Sequence, residues 1–237
     1  MEVYKKKTIM KKLKLLFVLL LSISAINSYA QTNKETRDLR NFSSIKVANS
    51  IEAELIKGDK NSISIVASGV ELDKVETNVS DDALEVKLGR GNFRSSSVKV
   101  TITYIDIDEV QATTSSKVFV KNELAGNQVY LYAASNAYIE ASVEATNLFI
   151  EANTNSKIAV NGSSENFDLK AYTNATLDAA KLTVTHSEVL ANTAAKAEFK
   201  VTESIKGSAA TGAKITYTGD PTLIDVKTNT GGDIKKK

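Results

Sequence analysis

The chain carries a single histidine, His186, and no cysteine, and this limits the chemistry open to it. A hydroxyl-imidazole-carboxylate relay needs an imidazole to move the proton, so any such assembly would have to be built on His186. Its neighbours, Thr185, Ser187, Glu188 and Val189, read instead as a solvent-facing connection. Without thiols there is no disulfide, no thiolate nucleophile and no cysteine zinc site, so packing and backbone hydrogen bonds must hold the fold. Paired carboxylates are the next candidates. Asp106 and Asp108 share one face of a presumed strand with Glu109 beside them, and such a pair could bind Ca²⁺ or act as acid and base. A strand that buries Ile105, Ile107 and Val110 explains the same residues without a function. Asp81 and Asp82 sit in the turn signal Ser-Asp-Asp-Ala, where aspartate is expected for local hydrogen bonding.

The elements that would position these groups are strands. Small residues followed by an aliphatic recur along the second half, as in VQATTSSKV, LYAASNAYI, IEANTNSKI, LKAYTNATL, VLANTAAKA, KGSAATGAKI and DVKTNTGGDI. Val118, Ile139, Ile158, Leu177, Ala197, Ile215 and Ile234 take equivalent places, with spacings of 21, 19, 19, 20, 18 and 19. A near-constant period of this length marks a repeat architecture. Within a unit the side chains alternate. Leu148, Ile150, Ala152, Thr154, Ser156, Ile158 and Val160 fall on one face, and Phe149, Glu151, Asn153, Asn155, Lys157 and Ala159 on the other, which is the strand period. A column of Ser115, Asn136, Asn155, Asn174, Ala194, Gly212 and Gly231 marks a corner, since most of these residues tolerate left-handed or turn backbone.

One unit cannot stabilise itself, because a few buried aliphatics contribute roughly 1.5–3 kcal/mol each against about 1–2 kcal/mol of backbone entropy per residue. Stacking the units in parallel supplies the rest. The sequence therefore predicts an all-β fold, a parallel β-helix or β-solenoid with coils of about 19 residues, preceded by a less regular β-rich part. VANSIEAEL in that earlier part echoes the repeat loosely, with Ala48, Asn49, Ser50 and Ile51 set against Thr154, Asn155, Ser156 and Ile158.

The first thirty residues read differently. Lys5, Lys6, Lys7, Lys11, Lys12 and Lys14 precede an uncharged apolar run of 12 residues, Leu15–Ile26, which ends in Ser28-Tyr29-Ala30. This is the pattern of a cleavable signal peptide, with cleavage expected after Ala30, and the run is too short for a membrane span. Six of the 30 basic residues and one of the 28 acidic ones lie there, leaving 24 against 27 and a net charge of −3. A balanced chain without tryptophan or a basic cluster, other than its terminal lysines, offers little to nucleic acid. The expected organisation is a signal peptide at 1–30, a short linker at 31–36, an irregular β-rich part at 37–109, regular repeats at 110–234 and a basic tail at 235–237.

With the repeat laid out, the chain resembles the head GIN domain family, secreted proteins of Bacteroidetes-type bacteria that carry the name putative auto-transporter adhesins. Arg37 or Arg40 with Phe42, Ile45 and Val47 resembles the family's opening. Thr211-Gly212-Ala213-Lys214-Ile215 and Thr230-Gly231-Gly232-Asp233-Ile234 come nearest to its small-residue motif. The other units use Asn, Ser, Ala or Thr there. The resemblance implies a β-helical secreted domain and brings no catalytic residues with it.

A polysaccharide-cleaving β-helix would need acids gathered on one outer face, usually with a metal or a basic residue. All four arginines, Arg37, Arg40, Arg90 and Arg94, precede the regular repeats, and the outer columns hold no acidic cluster. The reading is therefore non-enzymatic, with no cofactor and no metal. Outward aromatics are the better lead. Tyr130 and Phe149 share a column on adjacent coils, with Tyr132, Tyr138 and Tyr172 on nearby columns, and exposed rings on a rigid sheet can stack on sugars or anchor a protein. The leading expectation is an exported surface for binding a glycan or an envelope protein, in the periplasm, at the cell surface or outside the cell. A self-assembling envelope protein, whose faces pair with its own copies, is the alternative, and a polysaccharide-active enzyme the second.

Overall fold

A computed structural model describes residues 32–93 and 96–237; the expected signal peptide, Gln31, Arg94 and Ser95 lie outside the described residues. Residues 33–237 form one compact unit, and it is built almost wholly of strands. Strand β1 (Thr32–Asp38) runs through most of the segment read as a linker. The irregular part follows as β2 (Ser44–Val47), β3 (Glu52–Lys57), β4 (Ser62–Ser68), β5 (Val75–Ser80), β6 (Ala83–Leu88) and β7 (Ser97–Tyr104). The repeats comprise β8 (Glu109–Ala112), β9 (Lys117–Val120), β10 (Leu124–Ala133), β11 (Tyr138–Ala152), β12 (Lys157–Ala171), β13 (Thr176–Ala191), β14 (Lys196–Ala209), β15 (Lys214–Thr218), β16 (Leu223–Thr228) and β17 (Asp233–Lys236).

These repeat strands stack in parallel in the register read from the sequence. Val118 pairs with Ile139, Ile139 with Ile158, Ile158 with Leu177, Leu177 with Ala197, Ala197 with Ile215 and Ile215 with Ile234. The chain is a β-solenoid of about seven turns with an irregular N-terminal sheet. Its alternate side chains build one continuous core. Where the period departs from 19, the strands slip locally, as between Asp178 and Thr183 of β13 against β14.

Each coil turns at a tight corner. Ser115, Asn136, Asn155, Asn174, Ala194, Gly212 and Gly231 all have positive φ, between 59° and 75°, as the column of turn formers suggests. The residue before each, Thr114, Ser135, Thr154, Thr173, Thr193, Thr211 or Thr230, is left-handed too, at 47–56°. Thr154, read as inward, is therefore exposed. Two successive positive-φ residues closed by a hydrogen bond from Ser156 N–H to Asn153 C=O (3.2 Å) have the arrangement of a type I′ turn, whose twist matches the strands it joins. A left-handed threonine costs about 1–2 kcal/mol. At Thr154, Thr193 and Thr230 the hydroxyl donates to the side-chain oxygen of the preceding asparagine, which favours that geometry.

The corners are also linked to one another. The N–H of Ser50 donates to the C=O of Thr114, that of Ser115 to Ser135, that of Asn136 to Thr154, and so on to Gly212 and Thr230, at 2.8–3.1 Å. The residue after each corner is small, Ser116, Ala137, Ser156, Ala175, Ala195, Ala213 or Gly232, because it lies against the coil before. Ser156 Oγ donates to Ala133 C=O at 2.8 Å, and a side chain on Gly232 would meet Ala209 O at 2.2 Å.

The corner ladder begins at Asn49 and Ser50, so the echo in VANSIEAEL is a true coil. It lies one residue out of the register read for Ala48, Asn49 and Ser50 and two out for Ile51, since Ala53 takes the place of Ile158. β2 pairs in parallel with both β6 and β8, and β3 with both β7 and β9. Residues 44–57 thus stack directly on the first regular coil, although residues 58–108 intervene. Beyond β6 and β7 the stacking ends with antiparallel strands, β5 on β6 and β4 on β7, and β1 pairs with β4. The outer edge of β5 is plugged by arginine. Arg37 donates to Val75 C=O (2.6 Å) and to Leu72 C=O (2.9 Å), and Arg40 donates to Val79 C=O. The arginines of the family-like opening therefore close a sheet edge.

Candidate functional site

The strands that lead into the corners carry three outward columns across adjacent coils. Along the first run Glu109, Tyr130, Phe149, Asp168, Glu188, Lys206 and Asp225. Along the second run Gln111, Tyr132, Glu151, Lys170, Leu190, Ser208 and Lys227. A third holds Gln128, Asn147, Asn166, His186, Ser204 and Leu223.

Four of the five candidate aromatics gather here. Tyr130 and Phe149 are register partners, Tyr132 sits one column over, and Tyr172 flanks the corner of the next coil. All four are half-buried. Tyr138 is elsewhere: it lies past the corner, on the strand leaving it, between Lys117 and Lys157. Its ring meets Phe119 at 5.7 Å, and its hydroxyl donates to Glu140 at 2.9 Å. Phe119 was missed because it occupies a column where the other regular coils have Glu, Ala, Asp, Thr or Lys. Burial, then hydrogen bonding and the charge of Glu140, push the Tyr138 phenol up to about 12. Burial and the charges of Glu151 and Glu109 do the same to Tyr130, to about 12. Both rings are thus neutral hydrogen-bond donors set among carboxylates, across the ordinary pH range.

Below Phe149 lies a groove of about 340 Å³, lined among others by Phe149, Asn166, Asp168, His186, Glu188 and Lys206. Amides bridge coils along its side: Asn166 donates to Asn147 Oδ1 at 3.1 Å, and Asn147 donates to Asn127 C=O at 3.1 Å. His186, read as a plain surface residue, has more company than its sequence neighbours indicated. Its Nδ1 lies 3.0 Å from Ser204 Oγ and its Nε2 3.7 Å from Glu203 Oε2. Ser204 and Glu203 come from the next coil, so no local motif could show them. The carboxylate lies beyond hydrogen-bond range, and its side chain is 63% exposed, so the hydroxyl-imidazole-carboxylate relay is not closed. The groove presents a ring, carboxylates, amides and an ammonium, all suited to holding a polyhydroxyl or peptide ligand.

The carboxylates at 106–109 are placed differently from the sequence reading. Residues 105–108 form a loop, and Ile105, expected inside, is 45% exposed. Asp82, Asp106 and Asp108 line one cavity of about 350 Å³ with Asn41 and Asn61. Among the described residues no group of three or more His, Asp or Glu side chains is arranged to hold a metal ion. No helix among them is long and apolar enough to cross a membrane.

Comparison with known proteins gives a family and a fold. No curated protein matches the chain. A putative adhesin from Bacteroides fragilis NCTC 9343 has a similar structure, with a TM-score of 0.77 at 16% identity over 87% of this chain and 97% of the other. A putative adhesin from Parabacteroides merdae ATCC 43184 scores 0.67 at 16% identity, covering 88% and 97%. A putative lipid binding protein from Parabacteroides distasonis ATCC 8503 scores 0.64 at 13%, covering 88% and 98%. Likeness at such identities establishes the shared fold. The family model described as "Putative auto-transporter adhesin, head GIN domain" matches residues 41–221, most of the described chain, and the protein belongs to that family.

Proposed function

We propose that the protein is a non-enzymatic, exported binding module of the cell envelope, and that the columns around Tyr130 and Phe149 bind a glycan. The observation that carries this reading is the register pairing of Tyr130 with Phe149 on adjacent coils, beside a groove edged by Asp168, Glu188 and the Asn147–Asn166 amides. Sugar rings offer flat C–H faces for aromatic stacking, and their hydroxyls suit carboxylates and amides. Because the rings stand on a hydrogen-bonded stack, little conformational entropy is lost when they are engaged. The family's name and the adhesin neighbours support the same reading.

The test is a screen of glycans and envelope components against residues 31–237, followed by titration of the best binder. Phe149→Ala and Tyr130→Ala should each weaken binding roughly tenfold, and together abolish it, with the thermal unfolding midpoint unchanged. Binding that survives the double substitution would move the site off this face. Binding to an envelope protein alone would replace the glycan as partner.

A further inference from the structure

The two ends of the solenoid are finished differently. At the N-terminal end, antiparallel strands and two arginines cover the edge. At the other end, β16 and β17 pair only with β14 and β15 among the described residues. Their outer edges carry the apolar side chains Leu223 (47% exposed) and Ile224 (53% exposed), beside the half-buried Val226 and Ile234. An open edge of this kind is a template for another strand.

The backbone phase of that edge is fixed. Asn229 N–H donates back to Ala209 C=O, so the odd-numbered residues of β16 face β14. Ile224, Val226 and Thr228 direct their N–H and C=O groups outward, since both groups of a strand residue point to the same side. An antiparallel copy centred on Val226 would set Val226 against itself and Ile224 against Thr228. These are the positions where the free groups can pair. The same register places Asp225 opposite Lys227 twice, in the closer non-hydrogen-bonded pairs. β17 repeats the design. Asp233 and Lys237 N–H donate back to β15 residues, which leaves Ile234 facing outward, with Asp233 and Lys235 symmetric about it.

We propose that the occupant of this edge is a second copy of the chain, joined end to end by antiparallel pairing of β16 across a two-fold axis at Val226. Hydrogen-bond phase and charge select the same register independently. The contact is isologous, and at the far end Arg37 and Arg40 plug the edge of β5, so this contact closes on a dimer and does not propagate by itself into a filament. This inference stands apart from the binding reading, because it uses none of the leading-face aromatics.

The experiment is sedimentation of residues 31–237, the chain that contains the whole compact unit, over a range of concentrations. Wild type should be dimeric. Val226→Pro should be a folded monomer, since proline removes an N–H that faces the free edge and leaves the bonds to β14 intact. Asp225→Lys should weaken the dimer about tenfold by placing lysines face to face, and adding Lys227→Asp should restore it. A monomeric wild type, a growing polymer, or a dimer indifferent to Val226→Pro and to the charge exchange would each overturn the proposal. Circular dichroism keeps misfolding of any variant separate from these outcomes.

Discussion

Replacing Ile158 with aspartate should leave the chain unfolded at room temperature, and replacing it with alanine should lower the unfolding free energy by about 2–5 kcal/mol. Ile158 is fully buried, and it stacks between Ile139 and Leu177 in the internal column. A carboxylate there has no partner and no water, and burying an unpaired charge costs more than a domain's usual stability margin allows. The alanine variant leaves a cavity that coils locked above and below cannot close. Denaturant titration followed by circular dichroism checks both variants. A folded Ile158→Asp chain with an unchanged midpoint would falsify the ladder account.

The second large effect distinguishes two kinds of glycine. Gly207→Ala should destabilise the fold by about 3 kcal/mol or more. Gly207 lies mid-strand with φ +129°, and a Cβ would sit 1.9 Å from Val189 O, a backbone atom held by its own coil. Gly212 has φ +74° at a corner and no atom within 4 Å of a Cβ. Gly212→Ala should cost only about 1 kcal/mol, and Gly212→Asn still less, because Asn136, Asn155 and Asn174 already fill that column. Thermal unfolding of the pair is the measurement. Equal losses would show that conformational strain alone, without the close approach to Val189, sets the cost at Gly207.

The register of the solenoid was legible because the core demands it. Ile139, Ile158 and Leu177 must be apolar, and the residues after each corner must be small, so both constraints surface as letters at a fixed period. The left-handed threonines were not legible. A β-branched residue is a poor sign of positive φ, and the reason Thr154 tolerates it, a hydroxyl bond to Asn153, exists only once the turn is formed. Tyr138 was placed with Tyr130 because alternation reports which way a side chain faces but not on which side of a corner it stands. The meeting of His186 with Ser204 and Glu203 depends on the stagger between coils, where β13 and β14 slip out of register. The acids at 106–109 were misread because Ile105 looked like a strand residue, while the chain there bends into a loop that seats β8. The candidate site was half visible: the ring column could be read, but the groove beneath it comes from four successive coils.

The displaced coil at residues 44–57 has a consequence for how the molecule comes to exist. β2 and β3 leave the ribosome early, yet the strands that flank them, β6 with β7 and β8 with β9, are all made later. The C-terminal coils join neighbours one repeat apart, so their loops close cheaply and they can zip up in turn, whereas the first coil must wait for a long loop to close. The order of assembly therefore runs against the order of synthesis. In pulsed hydrogen exchange during refolding, amides of β11 to β13 should gain protection before those of β2 and β3, and the opposite order would show that the N-terminal block is the template.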